Sequence, residues 1–513
     1  MLRPANRLRL GFPLLAATLL ASAPCAAAGA LHVEGGFFRD ARGGAVILRG
    51  VNVAGDSKVP PFMPAAEPTL FDPLRDAGMN VVRLLFTWEA YEPEPGAYDA
   101  AYLDYYAAAA RAAGERGLHV VVDFHQDGFS RFTIGGCGDG FPRWALPPEL
   151  APLEPDNGPD CVNWGVRMAQ DTEMMTAWTA FYADTHGART RFLLMLESVS
   201  ERLAGEPAVI GYDILNEPWG DEATEIPALH ADAAAALRKA SPEAIVFVSP
   251  HALTSAGKAT ELPPPTFENV AYAPHFYDAM VALLHTWNGT DPAATFDLMQ
   301  EEATAWGAPL FLGEFGAPAE AGNAIAYMDA LYGHLDARLA SGAQWVYTPG
   351  WTDTRKDGWN QEDFSIVDGE GTTRPNFRLR PAARRIAGTP TGLQVTTVDD
   401  PESGTITLAW DHDPDAGETE LFVPLASLTR AARARLRIET EGDALDCTAE
   451  GARVTCTSPT AGAKRVKVSG AQEPEEAPAC GLMGIEPLAL GALAALAQRR
   501  RRARSRAGRR PRR

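Results

Sequence analysis

Two glutamates stand where short apolar runs of the chain end at a turn. Glu217 lies in Gly211–Trp219 (GYDILNEPW), and Glu314 lies in Pro309–Gly316 (PLFLGEFG). Each pattern predicts a buried strand with a carboxylate at its C-terminal end. Glycosidic bond cleavage needs two carboxyl groups, one that protonates the leaving oxygen and one that attacks the sugar or activates water. Either residue alone could be a surface glutamate, but the pair predicts a glycosidase.

The first 28 residues have the pattern of a secretory signal peptide. Three arginines precede the apolar stretch 10–23, and the small residues Ala26–Ala28 follow it. This pattern predicts an exported bacterial protein, and residues 1–28 are excluded from the fold. A lipoprotein signal at Cys25 is the alternative, which Pro24 disfavours.

Residues 471–513 combine an acidic spacer, a short apolar stretch and an arginine-rich end. The apolar stretch 482–497 contains Glu486 and Pro487 and is short for a membrane-spanning helix, and ten arginines follow it. The pattern is similar to the C-terminal sorting tails of exported bacterial proteins. It predicts a processing protease as a partner and a cell-surface or extracellular location. A basic tail that binds nucleic acid is the alternative.

The net charge limits the classes of partner. The formal charge of the chain is −20, and 13 arginines lie in its two end segments, so the rest of the chain is more acidic still. A strongly acidic surface argues against nucleic acid or anionic lipid as a partner. We expect a monomer.

Four cysteines lie between the end segments, and an even number in an exported chain indicates disulfides. They are Cys137, Cys161, Cys447 and Cys456. Three connectivities are open, and Cys137–Cys161 with Cys447–Cys456 is the simplest because each pair is close in sequence.

Strand-like runs alternate with helical patterns from residue 31 to 388. The candidate strands are 46–53, 80–86, 119–125, 209–216, 245–249, 270–275, 310–314 and 344–348, and the clearest helical stretches are 100–116, 191–203, 226–240, 293–306 and 323–341. Eight such units predict an α/β fold of the (β/α)8 (TIM) barrel type, whose active site lies at the C-terminal ends of the strands. A doubly wound open sheet is the alternative, which the lack of a glycine-rich phosphate turn disfavours.

A change of composition near residue 389 predicts a second domain. Residues 389–470 contain short β-branched runs broken by turns rich in Asp and Pro. This pattern predicts a small β-sandwich, which either stabilises the barrel or binds carbohydrate.

Other polar residues occur at the ends of the predicted barrel strands. Arg83 lies within the second strand, where burial would require a carboxylate partner such as one of the two glutamates. His125 ends the third strand and His275 ends the sixth. Two histidines at one mouth favour a role towards substrate, as neutral imidazoles that orient a carboxylate or bind sugar hydroxyls.

The chain resembles the bacterial endoglycoceramidases, members of glycoside hydrolase family five, from about residue 32 to 470. Four motifs carry the resemblance: Asp123–Asp127 (DFHQD), Tyr212–Pro218 (YDILNEP), Tyr272–Tyr277 (YAPHFY) and Leu312–Gly316 (LGEFG). The second and fourth would fit many endoglucanases, whereas the first and third are narrower and point to glycosphingolipids. The resemblance implies a retaining hydrolase that releases intact oligosaccharide and ceramide without a metal ion or cofactor.

The resemblance also implies roles for individual residues. Glu217 would be the acid/base and Glu314 the nucleophile, and the residues implied to bind substrate are Lys58, His125, Asp127, Asn216, His275 and Tyr277. Relatives carry a tryptophan directly at the end of the eighth strand. This chain has Trp345–Trp351 (WVYTPGW) there, and we expect Trp351 or Tyr347 to take that place.

Two segments could supply an apolar surface for the lipid chains. Residues 128–190 are rich in Pro, Gly and Trp and are expected to form a disulfide-tied lid, with Phe129, Phe132, Trp144, Trp164 and Trp178 as its aromatic residues. The segment Pro60–Pro64 (PPFMP) is the second. The same side chains could equally be ordinary core.

Three alternatives to this function remain open. The first is an endo-β-1,4-glucanase or mannanase of the same family. The second is a relative that prefers glucosylceramide, 6-linked galactosylceramides or a sterol glucoside. The third is a glycolipid-binding protein without turnover, which the presence of both acids disfavours.

Overall fold

The computed structural model describes residues 30–150, 154–397, 404–424 and 434–472 of the 513-residue chain. The strands are β1 (Leu31–Glu34), β2 (Phe37–Asp40), β3 (Ala45–Val46), β4 (Arg49–Val53), β5 (Val81–Thr87), β6 (His119–His125), β7 (Val209–Asp213), β8 (Ile245–Val248), β9 (Val270–Tyr272), β10 (His275–Phe276), β11 (Phe311–Leu312), β12 (Glu314–Phe315), β13 (Ser341–Tyr347), β14 (Ala382–Ile386), β15 (Gly388–Thr396), β16 (Thr405–His412), β17 (Thr419–Phe422), β18 (Ala434–Glu441), β19 (Asp446–Glu450), β20 (Arg453–Thr457) and β21 (Gly462–Gln472). The α-helices are α1 (Asp72–Asp76), α2 (Trp88–Tyr91), α3 (Ala100–Gly114), α4 (Trp164–Met168), α5 (Thr172–Tyr182), α6 (Ala188–Leu203), α7 (Glu225–Leu237), α8 (Ala279–Leu284), α9 (Ala293–Trp306) and α10 (Ala324–Ala337).

A parallel sheet of eight strands holds the centre of the fold. Its order is β11-β13-β4-β5-β6-β7-β8-β9. A parallel bridge between Tyr272 and Leu310 joins its two edges, and β10 pairs in parallel with β12 beyond that bridge. The sheet therefore curves into a barrel, which confirms the predicted (β/α)8 fold and excludes an open doubly wound sheet.

The barrel strands are apolar because they are buried on both faces. Every residue of β5 and of β13 is buried. Some strands approach each other so closely that only glycine fits between them. A Cβ atom on Gly50 of β4 would lie 1.7 Å from the carbonyl oxygen of Val81. The apolar runs therefore gave the positions of the barrel strands, although several strand ends differ by three residues from the predicted ones, as at β7 and β13.

Two antiparallel sheets form a β-sandwich with one apolar core. Their orders are β1-β2-β3-β14-β17-β20-β19 and β15-β16-β21-β18, and Ile386, Leu408 and Val454 are among the residues buried between them. The first three strands, which the sequence-based boundary of 31–388 assigns to the barrel, belong to this sandwich instead. The reason is a long-range pairing, in which Val46 of β3 lies opposite Arg385 of β14.

Both disulfides have the predicted connectivity. Cys137 is bonded to Cys161 and Cys447 to Cys456. The second bond joins residues that face each other across the β19–β20 pair. Each therefore ties together a local segment rather than two distant parts of the chain.

The two end segments fall outside the part of the chain that the structure describes. The predicted signal peptide, 1–28, and the apolar and arginine-rich parts of the predicted sorting tail lie there. Among the described residues, none of the helices has the length and apolar character needed to cross a membrane.

Candidate active site

The strand ends bring the predicted catalytic and histidine residues to one mouth of the barrel. His275 and Glu314 are directly paired at the start of β10 and β12. Asn216 and Glu217 follow β7, and His125 ends β6. All five are buried. This is the C-terminal end of the barrel, where (β/α)8 enzymes hold their active sites.

The two glutamates lie on either side of His275. Its Nδ1 atom is 3.0 Å from Oε1 of Glu217 and 3.6 Å from Oε2 of Glu314. A carboxylate oxygen of one glutamate lies within 4.8 Å of one from the other. Retaining glycosidases hold their carboxyl groups about 5–5.5 Å apart, whereas inverting enzymes leave about 6.5–9.5 Å for a water molecule. The spacing therefore favours a covalent intermediate over direct attack by water.

Glu314 has the surroundings of an ionised nucleophile. Arg83 donates a hydrogen bond to its Oε1 at 2.7 Å, and the Tyr277 hydroxyl donates to its Oε2 at 2.9 Å. Burial favours the protonated acid, but the positive charges of His275 and Arg83 outweigh burial and lower the pKa of Glu314 below its ordinary 4.5. The carboxylate is therefore charged at neutral pH.

Glu217 has the opposite electrostatic setting. Burial raises its pKa above 4.5, the hydrogen bond from His275 opposes this, and the nearby charge of Glu314 adds to the rise. Its backbone is in the left-handed region, with φ at +39°, which is strained for a residue other than glycine. The side-chain amide of Gln126 donates to the carbonyls of Asn216 and Glu217 at 2.7 and 3.0 Å and holds this turn. The group suits a general acid.

Arg83 is fully buried beneath the two glutamates. Its guanidinium donates hydrogen bonds to the carboxylates of Asp123, Asp213 and Glu314 and to the amide oxygens of Asn52 and Asn216. The prediction that a buried Arg83 needs a carboxylate partner, such as one of the two glutamates, is confirmed by its contact with Glu314.

His125 is held between two aspartates. Its Nδ1 atom is 2.7 Å from Asp123 Oδ2, and its Nε2 atom is 3.4 Å from Asp127 Oδ2. Burial alone would lower the pKa of His125, but the negative charge of Asp123 outweighs burial and raises it to about 10. The sequence-based expectation of a neutral imidazole is therefore wrong for His125, which is a charged hydrogen-bond donor.

Lys58 forms the next part of the same polar wall. Its buried Nζ atom lies 2.6 Å from Asp127 Oδ2 and 3.9 Å from Glu362 Oε2. The ring centroids of Trp359 and Trp345 lie 3.9 and 4.5 Å from the same atom. The cation is thus fixed by two carboxylates and two indole rings. Glu362 and Trp359 were not predicted, because they lie in the loop after β13 and not at a strand end.

Trp345 is the tryptophan of the eighth barrel strand that contacts the predicted site. Its ring stacks on that of His125, with centroids 5.5 Å apart. By contrast, Trp351 donates a hydrogen bond to Asp363, and the Tyr347 hydroxyl donates to a backbone carbonyl just before α1. The strand pairing shifts between residues 344 and 347, so simple alternation along β13 does not give the direction of these side chains. These contacts favour Trp345 over Trp351 or Tyr347.

The segment 128–190 has a different arrangement from the predicted lid. Phe129 and Trp178 are buried in the core, so they do not line a cleft. Trp164 does approach the site, with its ring 4.8 Å from that of Trp359. The carbonyl of Cys137 accepts a hydrogen bond from Asn360 at 2.7 Å. The disulfide-tied part of this segment therefore supports the loop that carries Trp359.

Three groups of side chains among the described residues are close enough to hold a metal ion. They are Asp123, His125 and Glu314; His125, Asp127 and Asp139; and Glu217, His275 and Glu314. Arg83 already contacts two members of the first group, Lys58 contacts Asp127, and His275 lies against both glutamates. The protein's own cations thus neutralise these acids, and the predicted absence of a metal or cofactor stays a prediction.

A (β/α)8 barrel with a raised-pKa glutamate after its fourth strand and an ionised glutamate at its seventh defines a glycoside hydrolase of the two-carboxylate class. Residues 40–350 match the cellulase family, glycosyl hydrolase family 5. This match covers more than half of the chain, and the chain belongs to that family.

Individual relatives are similar over shorter or longer stretches. Endoglycoceramidase I of Rhodococcus hoagii (strain 103S) is 35% identical over 192 residues, which is 37% of each chain. A glucosylceramidase of Aspergillus fumigatus is 36% identical over 141 residues, 23% of this chain and 18% of that one. The alignments therefore span about a third and a fifth of these two relatives.

A solved structure covers more of the chain. Endo-glycoceramidase II from Rhodococcus sp., in complex with ganglioside GM3, superposes with a TM-score of 0.71 at 25% identity. The match covers 85% of this chain and all of that one. The structure of the same enzyme as a lactosyl-enzyme intermediate superposes with a TM-score of 0.68 at 26% identity. This match covers 85% of this chain and 99% of that one.

The opposite pKa shifts of the two glutamates predict a bell-shaped pH profile of kcat/KM. Activity needs Glu314 ionised and Glu217 protonated. The midpoint of the acid limb should lie below pH 4.5, because the pKa of Glu314 is lowered. The midpoint of the alkaline limb should lie above pH 4.5, because the pKa of Glu217 is raised. Steady-state assays with an aryl β-lactoside test this. Glu217→Gln should lose the alkaline limb, and persistence of that limb would contradict the assignment.

The five acceptors of Arg83 predict that lysine cannot replace it. Lysine keeps the charge but has three donors and no planar fork. We expect Arg83→Lys to lower kcat by about a hundredfold or more, in the range reported for lost electrostatic stabilisation. The acid limb should move to higher pH as Glu314 loses the hydrogen bond from the guanidinium. Both are measured from pH–rate profiles of variants that remain folded by circular dichroism.

Arg49→Lys is the matched control for this substitution. Arg49 is also a buried barrel arginine, paired with Asp336 at 2.9 Å, but it begins β4 at the opposite end of the barrel. Its pH profile should match that of the wild type. Equal losses in both variants would mean that Arg83 only stabilises the fold.

Proposed function

We propose that this chain is a retaining hydrolase of glycosphingolipids. It cleaves the β-glycosidic bond between glycan and ceramide and releases intact oligosaccharide and ceramide. The observation that carries the proposal is the pair Glu217 and Glu314, whose carboxylate oxygens approach within 4.8 Å beside one histidine. The similarity to two endoglycoceramidases supports the substrate.

The first step forms a glycosyl ester. The ionised carboxylate of Glu314 attacks the anomeric carbon of the sugar joined to the lipid. Glu217 gives its proton to the leaving oxygen, so ceramide departs as a neutral alcohol. Arg83 and Tyr277 hold the two oxygens of Glu314 in place.

The second step releases the glycan. Glu217, now ionised, takes a proton from a water molecule whose oxygen attacks the anomeric carbon. The bond to Glu314 breaks, and the glycan leaves with its original β configuration. Asn216 supports both steps in this proposal. Its amide group donates to the carbonyl of Gln126 at 3.0 Å, and its second hydrogen is suited to the sugar 2-hydroxyl.

The polar wall beside the acids is suited to sugar hydroxyls. Lys58 and His125 present positively charged donors, Asp127 presents an acceptor between them, and Trp345 offers an indole face next to them. Charged groups held by one another rather than by water give hydrogen bonds stronger than neutral ones. Trp345 takes the role that the sequence assigned to Trp351 or Tyr347.

The polysaccharide hydrolase alternative is less well supported. An open groove for cellulose or mannan would need exposed aromatic rings on both sides of the acids. Among the most exposed apolar side chains of the described residues, Tyr98 is the only aromatic one. The segment around Phe62 and Met63 follows β4 at the same mouth, and Met63 is exposed there, which fits an apolar leaving group better.

We also propose that the protein is exported and acts at or outside the cell surface as a monomer. Two disulfides are compatible with an oxidising compartment. Cleavage of a signal peptide and processing of the tail by a protease belong to the same proposal. Sizing of the secreted product and mass spectrometry of its two ends would test each part.

Hydrolysis of lactosylceramide in detergent micelles tests the function. We expect equal amounts of lactose and ceramide by mass spectrometry, with β-lactose appearing first by NMR. Glu314→Gln should lower the rate at least about a thousandfold. Glu301→Gln, an exposed glutamate on α9, is the control and should match the wild type. Survival of the lipid while cellodextrins or mannan oligomers are cut would identify a polysaccharide hydrolase instead.

The position of the Glu362 side chain beside Lys58 predicts that it contributes to glycan binding. Its buried Oε2 atom lies 3.9 Å from Lys58 Nζ but has no hydrogen-bond partner among the described residues, so a hydroxyl of the substrate could donate to it. Glu362→Gln should lower kcat/KM for an aryl β-lactoside by about 10–100-fold, mainly through KM, as expected for the loss of a buried hydrogen bond. Glu370→Gln, an exposed glutamate in the same loop, should have no effect. An unchanged KM in Glu362→Gln would contradict this role.

A further inference from the structure

Exposed apolar side chains gather on two segments that follow neighbouring barrel strands. Leu253 lies after β8, and Met280, Leu283 and Leu284 lie on α8 after β10. These side chains are 44%, 44%, 58% and 59% exposed. We call these four residues the rim patch. Scattered exposed leucines are common, but a continuous apolar patch on a soluble protein usually marks a binding surface.

The rim patch is joined directly to the catalytic residues. The backbone N–H of Tyr277 donates to the carbonyl of Ser255, which ties the segment of Leu253 to the start of α8. The hydroxyl of the same Tyr277 donates to Glu314. Met280 is three residues further along, a span of at most about 11 Å. The patch therefore borders the mouth in which the bond is cut.

The chemistry of the patch indicates what it contacts. Between Tyr277 and Thr290, the charged or titratable side chains are Asp278 and His285. Asp278 accepts the N–H groups of Met280 and Val281 and caps α8, and the side chain of Val281 is buried beneath the helix. The exposed face of α8 thus lacks Lys and Arg, which an anionic lipid surface would require. It is suited to an uncharged apolar phase.

We propose that the rim patch docks the enzyme on a zwitterionic lipid bilayer, with its leucines inserted between the lipid head groups. The inference rests on the proposed function, because a glycosphingolipid presents its scissile bond at the bilayer surface with its chains below. Apolar side chains on an interfacial helix enter about 5–10 Å into this region. Docking by the patch holds the mouth at the depth of the bond, so the lipid need not leave the bilayer before cleavage.

Vesicle flotation tests the proposal. The full chain is mixed with phosphatidylcholine vesicles, and its bound fraction is measured for the wild type and the double variant Leu283→Ser/Leu284→Ser. All proteins also carry Leu15→Glu, Leu19→Glu, Leu490→Glu and Leu493→Glu, so that binding by the apolar stretches at the two ends of the chain does not mask the patch. We expect the partition coefficient to fall about tenfold, from the loss of the lipid contacts of two exposed leucines. Hydrolysis of lactosylceramide in these vesicles should fall by a similar factor.

Leu298→Ser is the matched control, because Leu298 is 43% exposed but lies on α9 on the outside of the barrel. It should bind vesicles like the parent protein. Hydrolysis of a soluble aryl β-lactoside separates docking from chemistry and should not change in the double variant. Unchanged flotation of the double variant would overturn the proposal. Loss of a concentration-dependent dimer with unchanged flotation would assign the patch to a second copy of the chain and would also overturn it. If the parent protein cleaves neither lipid nor lactoside, the proposed function fails, while flotation still decides the docking.

Discussion

The buried guanidinium of Arg83 is the interaction on which the site depends. Its five acceptors come from β4, β6, β7 with the turn that follows it, and β12. One rigid, planar group therefore fixes the relative positions of strands from both halves of the barrel. Burying a charge in this way is costly unless every donor is paired, and here carboxylates and amides pair the donors. Removing any one acceptor would leave a buried donor of the guanidinium without a partner at the centre of the fold.

The same network explains how two residues of one type acquire different chemistry. Glu314 lies against Arg83 and His275, which lower its pKa, whereas Glu217 shares only His275, and burial raises its pKa. The difference also changes during the reaction. When Glu314 becomes an ester, its negative charge disappears and no longer raises the pKa of Glu217. The pKa of Glu217 then falls, so the group stays ionised after giving up its proton and can accept one from the water molecule. One residue can therefore act first as acid and later as base.

Much of this arrangement could be predicted from the sequence, because the active site of a (β/α)8 barrel lies at the C-terminal ends of its apolar strands. The apolar runs located all eight barrel strands, and the polar residues that follow them include Glu217, Glu314 and His125. Residues that depend on loop conformation could not be found in this way. Glu362 lies in the loop after β13, and Trp345 is directed towards the site by a shift in strand pairing. The pairing of β3 with β14 joins residues far apart in sequence, and no local pattern indicates it.

The mouth of the barrel combines buried charged groups with exposed apolar side chains, whereas proteins usually bury apolar groups and expose charged ones. Charged groups such as Lys58, Asp127 and His125 are buried, while leucines of α8 are exposed at its edge. Each arrangement is unfavourable for the free protein, since buried charges must be paired and exposed apolar side chains order water. Both become favourable when a ligand brings hydroxyl groups to the interior and hydrocarbon to the edge. A glycan joined to a lipid has this polarity, whereas a long polysaccharide is polar along its whole length. The distribution of polar and apolar groups around the mouth is thus the one expected for the substrate class proposed above.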